Sequence, residues 1–404
     1  MYSNAPGKDM GEKIKNAFAH LGPVAIGMQP WRRNDHNFVR ENKYPKLKEG
    51  MPPAPGKTPD LDIEEYLTFK HRKRADDWLA YETRMIHKFA PEAKVIASTH
   101  PAMETVYLPL QDRWPYAECT LRTASGEIFH HPGYDRTHLL EFSKKDWVVG
   151  YYVPYSGSRY YEAIIQDIEK TLALGVDGFY VDEFSLGAHR DYCRYDYSRW
   201  DGFSADLDDN GNVVRLKSDV CYAIGPLQSD IITRLLQRGK FILGNGSAVL
   251  RTINNAPVLR FWEGASGFAT TSGAHLNHVP MIYGNYGDET TEKGIFHAVR
   301  DAIGAGCLYS PRACNLLLKG RDNFVCKQYP MTIVEIGPGL IIGKERILTT
   351  KSGSVDWPGT KDAKVFFYRY DAEGNLLPQT NGNVRDGKID ITVEKDGFTI
   401  VEKQ

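Results

Sequence analysis

Two places in this 404-residue sequence end an apolar run on carboxylates. Residues 178–181 read Gly-Phe-Tyr-Val and lead into Asp182 and Glu183, and residues 258–262 read Val-Leu-Arg-Phe-Trp and lead into Glu263. A carboxylate at the end of a buried run costs free energy unless it gains partners or a task. Two carboxylates on different strands match what cleavage of a glycosidic bond requires. One attacks the anomeric carbon or activates water, and the other protonates the leaving oxygen. Asp182 is assigned as nucleophile or base and Glu263 as general acid, because desolvation beside an indole such as Trp262 suits an acid. The two roles can also be exchanged. In a regular strand, Asp182 and Glu183 point to opposite faces, so only one of them would enter a site.

The same strand ends supply the residues expected to contact substrate. On the earlier strands these are His100, Tyr151, Tyr180 and Glu183, and on the later ones Asn245, Arg260, Trp262 and Asp288. Each has a structural alternative. Asp182 could cap the segment that follows it, Glu183 could pair with Arg190 or Arg194, and Glu263 could bridge to Arg260. His100 could be a hydrogen-bonded core residue. Asn245 lies in a Gly-Asn-Gly turn that could require its backbone conformation, and Asp288 could be a solvated loop residue.

Positioning such residues is the work of a recurring pattern: short apolar runs that end in polar or glycine-rich residues, with helical stretches between them. That alternation signals a parallel α/β architecture. Eight candidate strands fall at residues 24–30, 94–100, 148–155, 178–184, 241–247, 258–264, 279–285 and 306–311. Helical spacing marks residues 74–89, 160–174, 229–237 and 291–303. Residues 31–59 and 102–146 read as long irregular connections, and the gap between strands six and seven is short for a helix. Eight strands predict a closed (β/α)₈ TIM barrel over residues 1–328, with an open doubly wound sheet as the alternative. From residue 329 onward, short β-type runs separated by turns predict a C-terminal β-sandwich domain, residues 329–404.

Composition narrows the classes. The chain is 42% hydrophobic and 25% charged, as in a folded globular protein. Its 50 basic and 51 acidic side chains nearly cancel, which argues against nucleic acid as a partner. No run reaches the 18 apolar residues of a membrane span, so no membrane partner is expected. The N-terminus lacks a basic stretch followed by an apolar one; location is left open between the cytoplasm and export by a leader missing from this sequence. The six cysteines form no CxxC or Cys/His cluster and read as buried thiols. There is no GxGxxG at a strand–helix junction, no Walker lysine, no GxSxG and no HExxH, so no metal and no organic cofactor are expected. Adjacent residues rarely point at one metal, which sets aside His130-His131. The stretch 206–212 starts like a calcium loop, but Lys217 stands where the loop's glutamate belongs, and a turn is predicted.

The ten residues 175–184, Gly-Val-Asp-Gly-Phe-Tyr-Val-Asp-Glu-Phe, resemble the fourth-strand motif of glycoside hydrolases in the broad alpha-amylase and alpha-galactosidase-like group. There a DG(I/F)Y-x-D run delivers the nucleophilic aspartate, and Asp182 occupies that place. Residues 151–155 (Tyr-Tyr-Val-Pro-Tyr), ending the third candidate strand, and residues 339–347 look similar to uncharacterised bacterial barrel proteins of the same kind. The resemblance spans residues 90 to 350. It implies a glycosidase acting on an oligo- or polysaccharide. In alpha-amylases the acid glutamate follows strand five, whereas here strand five ends in Asn245 and the nearest glutamate, Glu263, follows strand six. Two other classes compete. In a non-catalytic carbohydrate-binding barrel, Asp182 and Glu263 would hold sugar hydroxyls. A metal-dependent hydrolase or a lyase would need a His and carboxylate cluster at the strand ends, where only His100 is available.

Overall fold

The structure, a computed structural model, describes residues 25–28, 67–68, 72–91, 93–131, 147–184, 193–246, 250–263, 281–284, 287–311 and 323–404. The described residues divide into two compact units. One runs to Gly244 and includes 250–256, and the other holds 245–246 and everything from 257 onward.

In the first unit, β1 (Ala25–Met28) is followed by helix α1 (Arg72–Phe89) and β2 (Lys94–Thr99). Strand β3 (Met103–Tyr107) and β4 (Trp147–Tyr151) precede helix α2 (Arg159–Ala173) and β5 (Gly178–Val181). Three short strands follow: β6 (Tyr195–Asp196), β7 (Ser204–Leu207) and β8 (Val213–Asp219). Helix α3 (Val220–Gln237), β9 (Phe241–Asn245) and the single turn α4 (Arg251–Asn254) complete it. Strands β1, β2, β5 and β9 pair in that order, all parallel. The alternation of strand and helix in the sequence therefore becomes a parallel ladder, as expected.

One candidate strand does not join it. Residues 148–155 are expected as the third barrel strand, but β4 pairs antiparallel with β3, with Met103 opposite Tyr151. The partner β3 lies inside the stretch expected to be irregular. An apolar run shows that a strand is buried, but it does not specify which neighbour buries it. Strands β6, β7 and β8 form a second antiparallel sheet, in the order β6-β8-β7. The turn between β7 and β8 is closed by Asp208, whose Oδ1 accepts the amides of Asn210 (2.9 Å) and Asn212 (2.8 Å). This is the turn predicted over 206–212. Lys217 reaches back to Asp206 at 2.5 Å, placing a positive charge beside that loop.

Local rules account for one helix fully and for another only in part. Ser158 caps α2 by accepting the Tyr161 amide, and Tyr160, Ile164, Ile165 and Ile168 form its buried face. Helix α3 is expected from residue 229 but begins at Val220, capped by Asp219. Pro226 lies inside the helix, although proline removes an amide donor from it. Here Val220, Ile224, Leu227, Ile231 and Leu235 are buried along the whole length, and that packing outweighs the local penalty.

In the second unit, β10 (Leu259–Glu263), β11 (Met281–Gly284) and β12 (Leu308–Tyr309) are parallel, with helix α5 (Glu292–Gly304) between the last two. The rest is antiparallel. Strands β13 (Ile333–Gly337), β14 (Leu340–Gly343), β15 (Arg346–Thr349), β17 (Ala363–Tyr370), β18 (Thr380–Val384) and β20 (Phe398–Lys403) form a six-stranded sheet in the order β13-β14-β15-β20-β17-β18. Strands β16 (Gly353–Asp356) and β19 (Lys388–Ile391) pair separately.

Period-two alternation divides the six-stranded sheet between two cores. Ile341, Leu348, Tyr370, Phe398 and Ile400 pack with α5, β11 and β12. Ile342, Ile347, Val365 and Val401 pack with Trp357, Ile389 and Ile391. The fold is mixed α/β, with parallel strands and antiparallel sheets.

Candidate active site

Strands β2 and β5 run side by side, with Thr99 opposite Val181. One further ladder bond, from the Asp182 amide to the Thr99 carbonyl (2.8 Å), carries the register past the end of β5. The strand then stops. Glu183 takes φ +45°, a left-handed conformation that few non-glycine residues adopt. The alternation that would send Asp182 and Glu183 to opposite faces therefore does not apply beyond Val181.

Four expected site residues meet here, nearly all removed from water. His100 is 0% exposed, Tyr151 1%, Glu183 4% and Asp182 6%, so the partners of each carboxylate decide what it can do. The Tyr151 hydroxyl donates to Glu183 Oε2 at 2.8 Å. His100 Nδ1 accepts the Ala102 amide at 3.3 Å, which places the ring proton on Nε2. That nitrogen stands 3.4 Å from the same Glu183 oxygen. Asp182 Oδ1 accepts the Glu183 amide at 2.9 Å and the Tyr180 hydroxyl at 3.4 Å. Arg194 does not serve Glu183 as expected but stands 3.5 Å from Asp219. Arg190 lies outside the described residues.

Tyr151 is delivered by the antiparallel pair β3–β4. Its ring stacks on His131 (centroids 5.6 Å, 28°) and leans on Phe129 at 5.6 Å. His131 is buried, and its amide donates to the Val149 carbonyl. Sequence reading places His131 in a loop and misses this support. The histidine doublet is the only sign of it.

The first aspartate of the 175–184 motif has a different task. Asp177 Oδ2 accepts the Val95 amide and faces His87 Nε2, both at 2.8 Å, which ties α1, β2 and the start of β5 together. Burial works to raise its pKa, but the hydrogen bonds from Val95 and His87 outweigh that and hold it below its ordinary value. The glycine after it is required by space. A Cβ on Gly178 would sit 2.1 Å from the Phe241 carbonyl oxygen of β9.

The remaining expected residues lie in the second unit. Asn245 ends β9, half-buried, and the left-handed backbone of that turn belongs to Gly246 (φ +103°), so Asn245 is not there for its φ. Arg260 is fully buried in β10, and burial lowers its pKa to about 10. Trp262 packs against the core around α5. Glu263 ends β10 in register with Gly284 of β11. Asp288 is exposed. Its carboxylate accepts the Thr290 amide (2.8 Å) and the Thr291 hydroxyl (3.0 Å) ahead of α5, and the Thr290 bonds lower its pKa.

Among the described residues, no group of three or more His, Cys, Asp and Glu side chains is arranged to hold a metal ion, and no helix is long and apolar enough to cross a membrane. Cys119, Cys193, Cys221, Cys307 and Cys326 are free thiols, and Cys314 lies outside the described residues.

No family model matches the chain, and no curated protein matches it. Solved structures do. It is similar to a cycloisomaltooligosaccharide glucanotransferase of Paenibacillus sp. complexed with cycloisomaltoheptaose (9% identity, TM-score 0.40, 100% of this chain and 54% of that one). It is also similar to a GH31 dextranase of Flavobacterium johnsoniae complexed with glucose (11%, TM-score 0.43, 98% and 54%). A third is a noncanonic maltogenic alpha-amylase of Thermotoga neapolitana (11%, TM-score 0.42, 97% and 100%). The chain thus spans about half the length of the first two. With TM-scores of 0.40 to 0.43, what the chain does is read from its own residues.

Proposed function

We propose that this chain is a glycoside hydrolase that cleaves an oligo- or polysaccharide with two carboxylates, Asp182 as nucleophile or base and Glu263 as general acid. The observation that carries this reading is the buried Asp182, placed one residue beyond a parallel strand and fixed by hydrogen bonds to one of its two oxygens. A buried carboxylate with fixed orientation and neutral donors is suited to attack an anomeric carbon. In this reading residues 1–328 form a (β/α)₈ barrel and residues 329–404 a β-sandwich. His100, Tyr151, Tyr180 and Asn245 are then substrate-side residues at strand ends, where barrel enzymes carry their sites. No cofactor enters the reaction as proposed. Carbohydrate is the partner, and neither nucleic acid nor membrane is.

The test is hydrolysis of a panel of aryl glycosides and natural polysaccharides by wild type, Asp182→Asn and Glu263→Gln. Release of sugar by wild type, with most of the rate lost in both folded variants, supports the pair. If Glu263→Gln keeps the wild-type rate, the acid has been misassigned. If the wild type is inert but binds sugars, the chain is a carbohydrate-binding barrel and not an enzyme.

A further inference from the structure

Seven of the twelve large hydrophobic side chains that face solvent among the described residues fall between Trp200 and Tyr222, so the exposure is concentrated and not scattered. The ribbon β7–β8 shows how it arises. Residues opposite one another across two strands share a face. Ser204 and Asp206 stand opposite Lys217 and Arg215, and that side turns onto the protein. Lys217 Nζ lies 2.5 Å from Asp206 and 3.5 Å from the centre of the Tyr195 ring, and Arg215 donates to the Ala124 carbonyl at 2.5 Å. The other side holds Phe203, Ala205 and Leu207, with Leu216 and Val213 opposite the last two. Phe203 is 85% exposed, Leu207 60% and Val213 61%. The Phe203 ring continues this side to Tyr222 in the first turn of α3, with ring centroids 6.4 Å apart. A ribbon ordinarily sends its apolar side to the core and its charges to water. This one is inside out.

We infer that the outward side of β7–β8 is a self-association surface, covered in solution by the same face of a second copy of this chain. The inference does not rest on the role of Asp182. Phe203, Ala205, Leu207, Val213, Leu216 and Tyr222 include no charged residue, which matches the charge-depleted centre of a protein interface. Such a face can meet itself across a two-fold axis without like-charge repulsion. Its size also fits. The exposed parts of Trp200, Phe203 and Tyr222 amount to on the order of 400 Å², and Leu207, Val213, Val214 and Leu216 add a comparable area. Each partner in a standard stable complex gives up roughly 800 Å².

The contact is face to face and not the addition of a strand. On the open edge of β7 the Ser204 amide donates to Asp201 Oδ1 (2.7 Å) and its carbonyl accepts the Trp200 indole (3.1 Å), so both groups are already used. The same economy disfavours a sugar as occupant. Sugar hydroxyls need donors and acceptors beside the rings, and here Asp201, Asp206, Lys217 and the Trp200 indole nitrogen are engaged within the chain.

Sedimentation velocity on the full chain, from nanomolar to submillimolar concentration, tests this. The wild type should form a species of twice the 45.6 kDa of one chain. Phe203→Glu and Leu207→Glu each place a charge on both sides of the contact and should weaken the dimer by about a hundredfold or more, with circular dichroism unchanged. A wild type that stays at 45.6 kDa throughout overturns the inference. So does a dimer that both variants leave intact, because the contact then lies elsewhere. Should the glutamate variants misfold, amide exchange in the wild type replaces them. Exchange over residues 203–216 that slows as concentration rises supports the inference, and exchange independent of concentration overturns it. Protection of those amides by dextran in a monomeric wild type would make the face a glycan platform and would also overturn it.

Discussion

The strand end at Val181 and the six-stranded sheet near the C-terminus both bury charge, and they do so in opposite ways. In the sheet, Arg346 is buried with a guanidinium nitrogen 3.0 Å from Glu402, and Lys327 reaches the same carboxylate at 3.0 Å. Opposite charges meet, and the two strands that carry Arg346 and Glu402 pair in unbroken register. Ile347 and Leu348, or Ile400 and Val401, go to opposite cores in strict alternation. Positive φ at a non-glycine residue occurs there only at Asp386 and Asp396, in turns. At Val181 two carboxylates sit side by side in the sequence, their described partners include the neutral hydroxyls of Tyr151 and Tyr180, and the strained residue is one of the carboxylates. A structural network neutralises what it buries. The strand end tolerates a strained residue, Glu183, where the sheet has positive φ only in its turns.

The largest effect should come from Asp182→Asn. If this carboxylate reacts, the folded variant should lose about 10²–10⁴-fold in kcat on whichever glycoside the wild type cleaves. A variant that keeps its rate but unfolds at lower urea would reduce the strand end to one more structural network and dissolve the contrast.

Phe398→Ala should act the other way. Phe398 stacks on Phe296 (5.2 Å, 17°) and lies against Tyr370 at 5.0 Å in the core beside α5. Its loss should cost about 3–5 kcal/mol of stability by urea unfolding. The rate per folded molecule should stay the same, and a fall in that rate would show that the core and the strand end are coupled.

Asp177→Asn should be intermediate, costing about 1–3 kcal/mol at neutral pH through the Val95 and His87 bonds. The folded-state pKa of Asp177 lies below its ordinary value, so its contribution is complete above the unfolded-state pKa. It is lost as pH falls through the folded value, and the variant and wild type should converge there in acid unfolding curves. A difference that persists at lower pH would show that shape, and not charge, is what the aspartate supplies.

Asp208→Ala should have the smallest effect, a barely lowered urea midpoint, since an exposed turn loses only local bonds. A larger drop would mean that the β7–β8 turn is part of a wider structure.

How much of the molecule is legible in the sequence varies by element. Helix α2 is readable because its cap, its apolar face and its end all agree within fifteen residues. Residues 178–182 are readable because an apolar run closing on a carboxylate is rare and costly. Helix α3 is readable only after Pro226, since burial along the whole helix is invisible to a local rule. The pairing of β4 with β3 is not readable, because partner choice depends on the chain folded around it. Nor is His131, whose ring gains a role only once Tyr151 is placed against it.

The sequence by itself determined the alternation of strand and helix in the first unit, the β-rich texture after residue 329, and which carboxylates end strands, because periodicity and desolvation cost act locally. Only the tertiary structure decided that the third candidate strand leaves the parallel ladder and that Glu183 turns left-handed to meet Tyr151 and His100. Both depend on partners 32 to 83 positions away in the chain, and no local spacing encodes contacts at such separations.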